Sequence, residues 1–314
     1  MERLPLAELA RPETRRLLRR FGVAPIVAAP PDGDDEAVLA QVAELVRDGH
    51  GAAAVWPLLH REEGYWPSER DPGRFAERVE ALLARGPAPP WILVDLEPPF
   101  AEMKRLTGAA EVGPLVWRNL SPRRYRAARG SFAALAERLR RTGSKSFACA
   151  VPLCGGDFAV GSRFWQDAWE SPLVEIGWDA VGLMVYTTLL ATRSGPLLDE
   201  AAARRFAFRA ARATVRRFGA GAAALVGLCG GGVLEDEAEY AEPEQLRLDA
   251  AAARAAGVDD LTLYALEGVL AKPAPERWLE AFVSPAVVEP QSRRGDAVWA
   301  AVAAVGALAA WYRP

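Results

Sequence analysis

Two carboxylates stand two residues apart at the end of an apolar run in "WILVDLEPPF", residues 91–100. In an extended strand, residues two apart share a face. Leu93, Asp95 and Glu97 therefore point one way, and Val94 and Leu96 the other. Pro98 and Pro99 then stop the ladder and stiffen the turn that holds Glu97. Acids held there are partly desolvated and close to one another, and both effects raise a carboxyl pKa, as a general acid requires.

Other chemistry-bearing side chains fall at the ends of comparable runs. In "DAVGLMVYTT" (179–188), Met184 and Tyr186 share a face. In "DLTLYALEG" (260–268), Leu263, Ala265 and Glu267 do, leaving Glu267 at the strand end. The segment "VWPLLHREEGYWPSERD" sets Trp56, His60, Tyr65 and Trp66 on or just beyond another strand end, where flat rings suit the apolar C–H faces of a sugar. Asp157 follows a Gly-Gly turn and is a weaker substrate-binding candidate.

Elements that could position these groups are legible from periodicity. Seven runs read as buried parallel strands: 23–30, 52–59, 91–97, 146–154, 179–188, 223–232 and 260–268. Helical patterns separate them. Asp71 and Pro72 open one, with Phe75, Val79, Leu82 and Leu83 on a single stripe; Ser121 and Pro122 open another, ending at Gly143. Residues 199–218 and 243–256 read as helices, and Trp278 and Phe282 share a face of a shorter one. Strict alternation implies right-handed crossovers. The expected fold is a (β/α)8 TIM-like barrel in one domain, residues 1–283, with 113–120 as the eighth strand and the acids on its carboxyl-terminal rim. A polar connector (284–296) and an Ala-rich helix (297–314) follow, the latter packed on the barrel or, alternatively, anchored in a membrane.

Composition removes several classes. The 314 residues are 51% hydrophobic and 25% charged with a net charge of −3, which is globular and gives no basic face for nucleic acid. His50 and His60 are the only histidines, so a His-rich zinc site is excluded. Cys149, Cys154 and Cys229 have no paired spacing, which suits a reducing compartment. The charged amino terminus lacks a signal-peptide core, so a cytoplasmic location is expected. There is no GxGxxG or Walker motif, and no cofactor is expected.

"VDLE" followed by "LMVYT" resembles the chitinase-like glycosidases of family 18. The resemblance implies Glu97 as proton donor, Asp95 as the group orienting a substrate acetamide, and Tyr186 as its hydrogen-bond partner in a substrate-assisted exception to the two-carboxylate route. Leu93 and Pro90 replace the earlier acids of that motif, Thr187 its final Asp, and Glu267 stands where the family has a tryptophan. A two-carboxylate mechanism between Glu97 and Glu267 is the variant within the same class. In each case the expected partner is a small-molecule or oligosaccharide substrate. Two other classes stay open. The glycine-rich stretch 227–232 could cradle phosphate, with Mg²⁺ on Asp95, Glu97 and Glu267, in a lyase or isomerase. The barrel could also bind saccharide without catalysis.

Overall fold

The computed structural model describes residues 5–106, 108–234 and 237–309. All seven expected strands form: β1 (Ile26–Ala29), β2 (Ala54–Pro57), β3 (Trp91–Asp95), β4 (Lys145–Ala150), β5 (Ala180–Met184), β6 (Ala222–Gly227) and β7 (Asp260–Tyr264). They make one parallel sheet in sequence order, β1 through β7. The sheet curls into a half-barrel, and β1 and β7 are its two edges.

The expected eighth strand is absent from it. Residues Val112–Asn119 are a helix that buries Leu115 and Asn119, four apart, while Trp117 is 83% exposed. Alternation would have buried Leu115, Trp117 and Asn119 together. Pro114 is tolerated because it falls in the first turn.

Helices form where their caps allow. The Asp71 carboxylate accepts the Arg74 N–H at 3.1 Å ahead of Pro72–Leu83, and Asp199 does the same for Ala202 at 2.8 Å ahead of Glu200–Phe218. Pro122–Thr142 ends at Gly143, whose φ of 86° is the left-handed value glycine tolerates. The outward strand residues Ile92, Val94, Leu96 and Ala148 are fully buried beneath these helices, and the stripe Tyr125, Phe132, Leu135 and Leu139 packs inward as spaced.

The described part of the Ala-rich stretch forms the helix Arg293–Leu308, which starts ahead of position 297 and is capped by Ser292; residues 310–314 lie outside the described residues. It lies against Glu200–Phe218 and Cys154–Val160. Trp299 meets Phe206 edge-on at 5.6 Å, the Trp165 indole donates to Val302 O at 2.9 Å, and Asp296 accepts from Arg205 and Arg209 at 2.8 and 2.7 Å. Among the described residues no helix is long and apolar enough to cross a membrane.

Close approach depends on Gly295, where a Cβ would stand 2.5 Å from Ala202 O and 2.7 Å from Arg205 Cβ. Gly295→Val should therefore unseat the helix, at about 1–3 kcal/mol, lowering the melting temperature by roughly 2–5 °C. Ala304→Val, on the exposed face of the same helix, should move it by no more than about 1 °C. Equal shifts for the two variants would refute this packing.

Candidate functional site

β3 presents Leu93, Asp95 and Glu97 to the barrel interior and Ile92, Val94 and Leu96 to the helices, as alternation requires. A cavity of about 770 Å³, within the range of small-molecule sites, spans the interior and extends out to the helices at Leu198, Phe206 and Val302. Asp95 and Glu97 line its carboxyl-terminal end and are 5% and 9% exposed. Glu97 is placed by its own N–H, which donates to Pro67 O at 3.3 Å, and by the Leu96 N–H on Cys149 O at 2.8 Å. Ser171 Oγ donates to Leu96 O at 2.7 Å, so the strand end is tied from three sides.

Cys149, on the neighbouring strand, donates its thiol to Asp95 Oδ1 at 3.2 Å. Burial pushes that thiol well above its ordinary pKa, and Asp95 adds to the effect, so it stays protonated and acts as a donor. Tyr186 follows β5 and lines the same cavity. Burial pushes its phenol well up, with further contributions from Cys149, Asp95, Glu97 and Glu237. These groups therefore share one electrostatic neighbourhood, with the phenol a neutral donor at all ordinary pH.

The ring of Tyr186 stacks on Tyr264 at 5.9 Å, and Tyr264 meets Trp56 edge-on at 6.3 Å. Since Tyr264 ends β7 and Trp56 lies on β2, this chain of rings crosses between the two flanks of the open sheet. Trp66 also lines the cavity and is wedged between Tyr65 and Phe100, at 5.1 and 5.8 Å.

The loop bearing Trp66 sits on a buried ionic cluster. Arg70 pairs with Glu170 at 2.8 Å, and Arg124 lies 3.6 Å from Glu69. Burial, followed by the charges of Asp167 and Glu170, pushes the Glu69 carboxyl up to about 11, so it carries a proton at neutral pH.

Several expected residues lie elsewhere. Glu267 is not on a strand: β7 ends at Tyr264, and Leu266–Leu270 turns into a short helix that puts Leu266, not Glu267, on the cavity wall. Asp157 is fully buried in the helix Cys154–Val160, where its Oδ2 accepts the Gln166 N–H at 2.9 Å and burial pushes it up to about 6; it does not line the cavity. His60 is half-buried, 3.6 Å from Asp32, and Tyr65 buttresses Trp66 instead of reaching the cavity. The cavity wall thus takes Asp95, Glu97, Tyr186, Trp56 and Trp66 from the expected set and adds Cys149, Glu237 and Tyr264.

The glycine-rich stretch has a packing explanation. A Cβ on Gly268 would fall 2.0 Å from Cys229 O, and one on Gly230 2.6 Å from Gly268 Cα. Backbone lies on backbone there: Cys229 N–H donates to Tyr264 O at 2.8 Å and Ala265 N–H to Cys229 O at 3.0 Å. The Gly230 N–H, which a phosphate would need, donates to Glu239 Oε2 at 3.0 Å. Among the described residues no three His, Cys, Asp or Glu side chains are grouped to hold a metal, so Asp95, Glu97 and Glu267 do not form the expected Mg²⁺ set.

No family model matches the sequence, and no curated protein matches it. Among solved structures it is similar to the PgaB (BpsB) glycoside hydrolase domain from Bordetella bronchiseptica, at 15% identity and a TM-score of 0.50, over 87% of this chain and 94% of that one. It is also similar to the AP endonuclease, family 2, from Brucella melitensis, at 11% identity and a TM-score of 0.41, over 80% of this chain and 85% of that one. At such identities the likeness is one of fold: the chain has an α/β, TIM-barrel-like architecture, and family 18 in particular gains nothing from it.

Proposed function

We propose that the protein is a glycoside hydrolase, with Glu97 as the proton donor to the departing oxygen. The observation that carries this reading is the convergence of Asp95, Glu97 and Tyr186 on one aromatic-walled cavity at the carboxyl ends of the strands, the end at which this architecture places active sites. Asp95, holding the Cys149 thiol, orients the substrate, and Tyr186 supplies a neutral hydroxyl. Trp56 and Trp66 take the sugar faces. In the substrate-assisted version the nucleophile is the substrate's own acetamide.

The two-carboxylate version takes Glu237 as its second acid in place of Glu267, because Glu237 faces the cavity. The PgaB (BpsB) domain, a glycoside hydrolase by its description, supports the class through shared fold only.

A panel of aryl glycosides, including N-acetylhexosaminides, tests the proposal directly: turnover of none of them would overturn it. Within the panel, Glu237→Gln should lower kcat by about 10²-fold or more if a second carboxylate acts, while Glu267→Gln should leave it within about twofold. The reverse pattern would restore Glu267. If neither variant changes kcat on an N-acetylhexosaminide, the substrate-assisted version holds.

A further inference from the structure

The cavity does not stop at the acids. It runs down the half-barrel to the amino ends of the strands, where Gly22, Pro25, Leu279, Phe282 and Val283 line it. A closed eight-stranded barrel fills this volume with layers of its own side chains. Here the filling is one-sided. Phe147 and Leu225 lie over Gly182, where a Cβ would meet them at 2.9 and 2.7 Å, and so occupy the β4–β6 side. On the other side the inward positions are small or at the sheet edge: Ala54 on β2, Ile26 on β1, and Thr262 on β7, which shares a face with Tyr264.

The chemistry of the wall is graded. Carboxylates, the thiol and the phenols are gathered at the carboxyl-terminal end. Below Leu93 the wall is Ile26, Ala54, Trp91, Leu263, Phe282 and Val283, with the Thr262 hydroxyl among them. Arg254, Asp259 and Asp260 stand at the far mouth. A second sugar placed in the middle would leave its hydroxyls without partners, an unfavourable burial, whereas a hydrocarbon chain would bury apolar surface against apolar surface.

From this gradient we infer that the site takes an amphipathic glycoside: the sugar at Asp95 and Glu97, and an alkyl or acyl chain running down the barrel past Ala54 and Thr262. The sugar end rests on the glycosidase reading; the chain end rests on the cavity. β3 rises about 13 Å from Trp91 to Asp95, which at about 1.25 Å per carbon holds a chain of about ten carbons.

The test is a ladder of n-alkyl thioglucosides, butyl to dodecyl, which resist hydrolysis, titrated below their micelle concentrations with tryptophan fluorescence and calorimetry. Affinity should rise about fourfold per methylene and level off near about ten carbons. Ala54→Phe and Thr262→Phe, each a plug in the lower cavity, should bring the plateau to shorter chains and leave butyl binding unchanged; either variant that melts like the parent protein suffices. Affinity independent of chain length, or a plateau that neither plug moves, overturns the inference. The same titration, set beside the aryl glycoside panel on the parent protein, separates the two proposals. Chain-length dependence without turnover of any aryl glycoside retains the chain site and removes the glycosidase. Turnover without chain-length dependence does the opposite.

Discussion

Glu97→Gln is expected to cut kcat/KM on a glycoside with a poor leaving group by about 10²–10⁴-fold, the range general acid catalysis supplies. Gln keeps the shape of the side chain and the Glu97 N–H to Pro67 O bond, so the melting temperature should hold. The loss should shrink when the leaving group is a nitrophenol, which departs without help from a proton. That dependence on leaving group is what a merely structural glutamate could not produce. Steady-state kinetics on a matched pair of aryl and alkyl glycosides reads it; an unaltered rate on both would take Glu97 out of the mechanism.

The second large effect is expected at a residue outside the cavity. Asp249, on the helix Pro243–Ala255, is 3% exposed and accepts from Arg204 Nε at 2.6 Å, the Tyr240 hydroxyl at 2.6 Å and the Thr187 hydroxyl. Burial raises its carboxyl above the ordinary carboxylate range, and Arg204, Thr187 and Tyr240 act against that rise. Asp249→Ala leaves a largely buried guanidinium and two buried hydroxyls short of a partner. Breaking one side of a buried pair costs about 3–5 kcal/mol, or roughly 5–8 °C in melting temperature for a chain of 314 residues.

Thr187 directly follows Tyr186, and Tyr240 N–H donates to Leu228 O, so the same substitution loosens the ends of β5 and β6 and should lower turnover as well. Combining it with Arg204→Met should recover most of the lost stability, since a buried ion pair replaced whole by apolar groups is close to neutral. Melts of the two single variants and the double variant check this; a single-variant shift below about 2 °C would refute the network.

Much of this was legible in the order of residues, for reasons that can be traced. Burial on both faces made the seven strands read as continuous apolar runs, and the period of two in "LVDLE" assigned Leu93, Asp95 and Glu97 to the interior. The same reasoning placed Tyr186 beside Met184. It failed where a run ended earlier than its composition suggested. The β7 backbone turns after Tyr264, with Ala265 N–H bound to Cys229 O, and this shift carried Glu267 off the wall.

Tyr264 itself gave no signal, because a tyrosine inside a strand reads as core; only the open edge brings it against Tyr186 and Trp56. Cys149, a lone cysteine inside an apolar run, gave no signal either. Glu237 was hidden by its neighbours, whose glycines suggested an anion site and instead serve close backbone packing. Residues 113–120 are apolar enough for a strand, and only the exposed Trp117 reveals the helical spacing.

The seating of Arg293–Leu308 has a bearing on synthesis. Arg205 and Arg209, in the middle of the chain, find Asp296 only after a further 91 and 87 residues have been made. At ordinary elongation rates that is an interval of about 5–20 s, during which Phe206 and the Arg205 guanidinium await their cover on the ribosome. The half-barrel can assemble strand by strand as it emerges, but the flank formed by Glu200–Phe218 keeps Phe206 and Arg205 without this cover until the last helix arrives.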